Sequence, residues 1–261
     1  MPNTQSTALV TGASSGIGQA IAIRLARDGF HVLIHFHQNS TGAEATFTAI
    51  REGGGSAEVV QFDVRDKLGI ESVLESKFPG LSAPAVLVNN AGLHRDNMAG
   101  MMSDGEFKDV IETNLTGAFF LMRWCVRRMI SKRAGTIVNI SSLAGQIGNA
   151  GQINYAASKA ALIAMTQTLA SEVGGRGIRV NAVCPVYVTT DSIMAELKNP
   201  DSPSQGKPVD QYLNNFALSN SALGRLPTGA EIADSVEYLA SKHAGAITGQ
   251  CINVDCGVFP Q

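Results

Sequence analysis

Tyr155 and Lys159 stand four apart in a helix-compatible segment that begins near Asn154, and that spacing puts a phenol and an ammonium on one helix face. Upstream, a strand-like run, Thr136–Ile140, ends in Ser141 and Ser142, and a loop of Gly, Asn and Gln separates these serines from the tyrosine. A phenol, a cation and a hydroxyl meeting in one place suit proton transfer to or from a substrate oxygen. A free phenol titrates near ~10, and a neighbouring ammonium favours the phenolate. Bringing it to about 7 requires roughly 4 kcal/mol at about 1.36 kcal/mol per unit, within reach of a close cation assisted by a second positive group. Ser142 would hold the substrate carbonyl or hydroxyl, with Ser141 its near rival. Standing alone, the same residues describe a core tyrosine, a snorkelling lysine and a serine in a turn.

A second signal lies near the N-terminus. Thr11-Gly-Ala-Ser-Ser-Gly-Ile-Gly18 follows an apolar run, Ala8–Val10, and precedes a helical pattern. In such a turn Gly12, Gly16 and Gly18 allow a tight bend, close backbone approach to a pyrophosphate and close helix packing. The helix N-terminus offers free N–H groups and partial positive charge to phosphates, and Ser14 and Ser15 add hydroxyl donors. The spacing departs from GxGxxG, and a glycine turn by itself is a weak signal. The next strand, His31–Phe36, ends without the acidic residue that would bind a ribose 2′-hydroxyl and repel a 2′-phosphate. That absence favours NADP(H), with His37, Asn39 and Ser40 as phosphate ligands, and leaves NAD(H) open.

With the glycine turn and the Tyr-x-x-x-Lys pair in order in one chain, the sequence resembles the short-chain dehydrogenase/reductase family over essentially its whole length. Within that family, Gly148-Asn-Ala-Gly-Gln-Ile-Asn-Tyr-Ala-Ala-Ser-Lys159 is most similar to the 3-oxoacyl-acyl-carrier-protein reductases. The resemblance implies a hydride transfer between nicotinamide and a carbonyl or secondary alcohol. It makes Asn114, Ser142, Tyr155 and Lys159 a catalytic tetrad; Ser142 is preferred because relatives set the serine thirteen residues before the tyrosine. Lys159 would also bind the nicotinamide ribose, and Asn114 would mark a helix kink whose carbonyl holds a relay water. Cofactor contacts carried over are Ile17 in the glycine turn, Asp63 and Val64 at the adenine, Asn90, Ala91 and Gly92 beside the cofactor, and Pro185, Val188 and Thr190 at the carboxamide. Ser15 replaces an arginine common in NADP-using relatives, and Val186 and Cys256 replace usual glycines. The implied substrate is a 3-oxoacyl thioester on acyl carrier protein, with Arg133 and Arg176 matching basic carrier-docking positions, and the implied assembly is a homotetramer. A sugar, polyol or other small secondary-alcohol dehydrogenase is the alternative enzyme. A catalytically silent cofactor-sensing or scaffold protein is the alternative of another class.

The elements that must position these residues are short apolar runs at Thr7–Thr11, Val32–Phe36, Val59–Phe62, Ala85–Asn89, Thr136–Ile140, Arg179–Val183 and Cys251–Val254, separated by amphipathic segments. Near-continuous apolar strands are buried on both faces, which predicts a Rossmann-like α/β fold, a doubly wound seven-stranded parallel sheet flanked by helices. One long helical pattern runs from about Ser103 to Ser131. A single domain is expected over residues 1–261, its cofactor half about 1–140 and its catalytic and substrate half about 141–261. A lid near 191–223 carries the polar Lys198–Pro208 loop and a helical pattern, Val209–Leu218.

Of 261 residues, 44% are hydrophobic and 16% charged, and a net charge of −2 supplies no global basic field for nucleic acid. Neither a secretory leader nor an 18-residue uncharged apolar run is visible, so the expected location is cytoplasmic, with no membrane partner. Cys125, Cys184, Cys251 and Cys256 lack metal-ligand spacing; they read as free thiols, and no metal is expected.

Overall fold

In the computed structural model, residues 5–198, 202 and 204–260 are described. Among them, seven parallel strands form one sheet in the order 3-2-1-4-5-6-7. These are β1 (Thr7–Val10), β2 (His31–Phe36), β3 (Ser56–Gln61), β4 (Val86–Asn89), β5 (Gly135–Ile140), β6 (Ile178–Pro185) and β7 (Cys251–Val254). The third strand begins before its apolar run. Ser56–Glu58 join the ladder because β2 offers paired backbone there, which side-chain hydropathy does not register.

Alternate residues of each strand feed opposite cores. Ala8, Val10, Val32, Ile34, Val86, Val88 and Val138 pack with helices α1 (Gly16–Arg27) and α9 (Gly229–Ala240). Leu9, Leu33, Leu87, Ile137 and Val180 pack on the other face with α3 (Lys67–Lys77), α5 (Ala118–Lys132) and α6 (Ile153–Val173). The period of two with both faces apolar is what a doubly covered sheet demands. Each such Leu or Ile, fully removed from water, contributes roughly 1.5–3 kcal/mol.

A buried polar ladder ties α6 to this frame. Asn89 Nδ2 donates to Asn139 Oδ1 at 2.8 Å, and Asn139 Nδ2 donates to Thr166 Oγ1 at 2.8 Å. Because α6 carries Tyr155 and Lys159, these bonds fix its height above the strand ends.

The long helical pattern after Ser103 is not continuous. A capping box of Ser103 and Glu106 starts α4 (Asp104–Ile111), a π-helical turn spans Glu112–Gly117, and α5 follows. The extra residue per turn lets Asn114 face inward, where it is buried. Gly117 completes the turn against Val64, 2.9 Å from where a Cβ would stand.

The segment 191–223, expected to form a lid, contains α7 (Asp191–Glu196) and α8 (Val209–Asn220). Asn199, Pro200, Asp201 and Pro203 of its polar loop lie outside the described residues. Its inner side is apolar: Leu197, Val209 and Leu213 form a small separate core with Tyr187 and Tyr212 packed on it. At the C-terminus, Cys256 adopts φ +57°, so the backbone keeps a left-handed turn at a non-glycine residue.

Candidate active site

The strand order reverses between β1 and β4, and a cleft opens beyond the carboxyl ends of these strands. Thr11 laces the two strand ends together. Its Oγ1 donates to the Val88 carbonyl at 3.2 Å and accepts from the N–H groups of Asn90 and Ala91 at 2.9 and 3.0 Å. Asn90 Nδ2 returns bonds to the carbonyls of Thr11 and Gly12 at 2.9 and 3.1 Å. Gly18 packs so tightly here that a Cβ would lie 2.2 Å from the Gly12 oxygen. Gly16, at φ +55°, faces Thr190 across the cleft. The cleft encloses about 1210 Å³, and its walls include Gly12, Ser14 to Gly18, His37, Asn39, Asp63, Val64, Asn90 to Gly92 and Ser142. Tyr155, Lys159, Pro185, Val186, Val188 and Thr190 complete the same wall. A backbone cradle over a helix N-terminus, continuous with a buried ammonium, fits a dinucleotide in shape and charge.

His35, in sequence only one more residue of the second strand, holds the glycine turn from below. Gly12 N–H donates to its Nδ1 at 3.1 Å, so the proton sits on Nε2, 3.0 Å from the Phe62 carbonyl. Burial pushes this imidazole down to about 4. The neutral ring is favoured in the fold, whereas an unfolded histidine titrates near ~6.5. As pH falls from about 6.5 to about 4, the unfolded chain takes up a proton that the native chain refuses. The fold therefore loses up to about 3 kcal/mol across that window from this group. Urea unfolding at pH 7 and pH 4.5 should show a steeper acid loss for the wild type than for His35→Leu; parallel losses would refute the assignment.

At the end of the cleft beside β2 and β3, Asp63 is held below the usual carboxylate range by the Arg65 guanidinium, which grips it at 2.7 to 3.1 Å. His37 Nε2 stands 3.7 Å from the same carboxylate. Asn39 lines the cleft, but its side chain caps α2 (Ser40–Glu52), accepting from Gly42 N–H at 2.9 Å. Ser40 begins that helix and is not part of the cleft wall. Arg65 is the residue that motif matching missed; its signal was a guanidinium two positions after Asp63.

At the other end, the two candidate serines separate. Ser141 Oγ is buried and donates to the Lys159 carbonyl at 2.9 Å. Ser142 faces the cleft, and its Oγ accepts from Ala144 N–H at 3.1 Å, which leaves its own proton available to a ligand. Lys159 is 4% exposed, donates to the Ile140 carbonyl at 2.8 Å, and has no carboxylate partner among the described residues. Its Nζ lies 5.5 Å from the centroid of the Tyr155 ring. Burial lowers this ammonium to about 8. The π-turn Asn114 grips Leu93 at both main-chain atoms, accepting from its N–H at 2.8 Å and donating to its carbonyl at 3.0 Å. The structure thus brings all four tetrad candidates to one end of the cleft, with the Asn114 side chain one layer behind.

Two further features were not foreseen. Tyr187, Tyr212 and Phe216 line the cleft: Tyr187 packs edge to face on Phe216 and Tyr212 at 5.1 and 6.0 Å, and Tyr212 lies tilted against Phe216 at 6.5 Å, giving that side an aromatic wall. Beneath Lys159, the thiols of Cys184 and Cys251 on adjacent strands stand 2.8 Å apart. Arg133 and Arg176 lie elsewhere. They end α5 and follow α6 at the amino ends of the interior strands β5 and β6, opposite the cleft.

Comparison with known proteins agrees with this geometry. The family model described as short chain dehydrogenase matches residues 6–201. The chain is 41% identical over 252 residues to the 3-oxoacyl-[acyl-carrier-protein] reductase FabG of Escherichia coli, covering 97% of this chain and 96% of that one. It is 38% identical over 256 residues to the FabG of Staphylococcus aureus, covering 97% and 98%. Among solved structures, a variant of the actinorhodin polyketide ketoreductase with NADPH superposes with a TM-score of 0.91 at 33% identity, covering 98% of each chain. A glycine-cradled cleft at the strand-order reversal, a Tyr-x-x-x-Lys pair beside it and these matches lead to one conclusion: the chain belongs to the short-chain dehydrogenase/reductase family and is an oxidoreductase.

Proposed function

We propose that the protein is an NADP(H)-preferring reductase of 3-oxoacyl thioesters carried on acyl carrier protein. The observation that carries the reading is the buried Lys159 ammonium, unpaired by any described carboxylate, set beside the Tyr155 phenol in a cleft walled by aromatic rings. A buried cation without a counter-ion is costly, and is retained where a ligand's oxygens or a developing anion can use it.

When bound, the nicotinamide supplies the hydride to the carbonyl carbon. Tyr155 gives its phenolic proton to the alkoxide oxygen, and Ser142 Oγ donates to that oxygen as its charge develops. Lys159 holds the ribose hydroxyls and stabilises the phenolate left behind. Asn114 keeps the π-turn carbonyl open to a relay water while its amide is committed to Leu93. Gly12, Ser14, Ser15, Gly16, Ile17 and Gly18 receive the pyrophosphate, and Asp63 and Val64 border the adenine. Asn90, Ala91 and Gly92 flank the cofactor, while Pro185, Val188 and Thr190 set the carboxamide face.

For the 2′-phosphate, the Arg65 guanidinium and the His37 ring are the candidate donors at the cleft wall; the Asn39 side chain is already committed as a helix cap. The aromatic wall of the lid suits an acyl chain better than a sugar. At about 1.5 Å per residue, α6 sets Arg176 roughly 30 Å from Tyr155, so a carrier docked on Arg133 and Arg176 would serve the cleft of a second copy. That arrangement accords with a homotetramer.

An assay of acetoacetyl thioester, sugar and cyclic-ketone substrates with NADPH and NADH tests the proposal. The expected result is thioester reduction at the highest kcat/KM, favouring NADPH by at least about tenfold. Turnover of another carbonyl without thioester turnover would remove the substrate, and equal use of NADH would remove the cofactor preference.

A further inference from the structure

His94 follows the Asn90–Gly92 motif by two residues, within a segment that is tied down on both sides of it. Leu93 is gripped by Asn114 at N–H and carbonyl, 2.8 and 3.0 Å. The Arg95 carbonyl accepts from Asn154 Nδ2 at 2.9 Å. The Asp96 carboxylate accepts from Gln152 Nε2 at 2.7 Å, and Asn97 N–H donates to the Gly151 carbonyl at 2.9 Å. Asn114 sits in the π-turn, and Gly151, Gln152 and Asn154 surround the start of α6, the helix that carries Tyr155. The imidazole between these anchors lies against the phenol, ring centroids 4.0 Å apart and planes inclined by 35°.

We propose that His94 is a positioning residue for proton transfer: its anchored ring presses on the Tyr155 phenol and keeps the hydroxyl aimed at the substrate oxygen. The inference deepens the reductase reading and rests on it for its kinetic arm. The χ1 and χ2 angles of a tyrosine decide where its hydroxyl points, and the rate of a proton transfer falls steeply with small misplacements of the donor. A planar ring held at stacking distance restricts that swing, as a small side chain would not. Burial and the neighbouring Lys159 ammonium push the imidazole down to about 4, so at working pH the ring is neutral and brings no second cation to the phenol. The anchoring explains why stacking can persist. Both flanking peptides are bonded to the elements that hold the tetrad, so His94 and Tyr155 move as one unit.

Two measurements decide the matter. In the reductase assay, His94→Ala is expected to lower kcat by about ten- to a hundredfold, with the NADPH dissociation constant within about twofold of wild type. Because the slowed step is proton donation, its solvent deuterium isotope effect on kcat should rise. His94→Phe, which restores a flat ring, should recover kcat to within about threefold and return the isotope effect to the wild-type value. Unchanged kcat in His94→Ala, or a His94→Phe no better than His94→Ala, overturns the proposal. The second measurement needs no substrate. In protein labelled with 3-fluorotyrosine, the Tyr155 fluorine resonance, assigned by its absence in Tyr155→Phe, should shift and broaden in His94→Ala and stay near its wild-type position in His94→Phe. A resonance indifferent to His94→Ala refutes the contact. If the wild type reduces no carbonyl, the functional reading falls and this spectrum alone decides the role of His94.

Discussion

Replacing Tyr155 by phenylalanine is expected to lower kcat for carbonyl reduction by at least about a thousandfold, with the dissociation constant of NADPH kept within about twofold. The substitution removes one oxygen and one transferable proton. The ring remains, so packing against His94 at 4.0 Å and the helical frame of α6 persist. On the proposed mechanism, what is lost is the group that protonates the alkoxide as the hydride arrives; water, without fixed orientation, would then supply the proton. Ser142 still offers a hydrogen bond to the developing anion, which sets a floor of residual turnover. Single-turnover oxidation of NADPH, followed beside a fluorescence titration of cofactor binding, measures the two quantities separately. A Tyr155→Phe enzyme within about tenfold of the wild-type rate would transfer the proton to another residue and dissolve the tetrad reading. Loss of cofactor binding in parallel with rate would instead assign Tyr155 to the binding wall.

How much of this site was legible in the chain depends on whether a function resides in side-chain type and spacing or in what folds against what. Tyr155 and Lys159 announce themselves because helical spacing alone puts them together, and Gly12, Gly16 and Gly18 because a strand-to-helix turn needs them. The seven strands were readable for a similar reason: alternate residues bury into two cores, so both faces are apolar. The third strand was placed short because Ser56, Ala57 and Glu58 pair by backbone to His31, Val32 and Leu33, and backbone pairing leaves little trace in hydropathy. The interruption at Glu112–Gly117 was foreseen only through family resemblance. The amphipathic pattern runs through it, and the π-turn is fixed by the grip of Asn114 on Leu93, a contact 21 positions away. His35 and His94 were invisible for a related reason. Each acts through a partner distant in sequence: Gly12 and Phe62 for the first, the Tyr155 ring for the second. The 191–223 segment reads as polar in sequence because its exposed loop dominates the composition, while Tyr212 and Phe216 of α8 line the cleft together with Tyr187 from the loop after β6.

Substituting Lys159 by methionine should make the protein more stable and nearly inactive, two effects of opposite sign from one side chain. The ammonium is fully buried, its described bond is to the Ile140 carbonyl, and burial has lowered it from 10.5 to about 8. At neutral pH both native and unfolded chains carry the proton, so the native chain bears the whole cost of burying the charge. A depression of that size corresponds to about 3 kcal/mol at about 1.36 kcal/mol per unit. Methionine fills a similar volume without the charge but leaves the Ile140 carbonyl without its donor, a loss of about 1 kcal/mol, so a net gain of about 2 kcal/mol follows. In a chain of this length that raises Tm by roughly 4–8 °C. The sign of the pH dependence is fixed by the same linkage. As pH rises from about 8 towards 10.5, the native wild type sheds the proton while its unfolded chain keeps it, and wild-type stability climbs towards that of the variant. Activity should move the other way, kcat/KM falling about a hundredfold or more as the cofactor's ribose loses its donor and the phenolate its counter-ion. Thermal unfolding of both proteins at pH 7 and pH 9.5, beside steady-state kinetics, gives all three readings. A variant less stable than the wild type at pH 7 would mean that the buried ammonium holds the fold together, and the reading of Lys159 as a charge kept for catalysis although it destabilises the fold would fail.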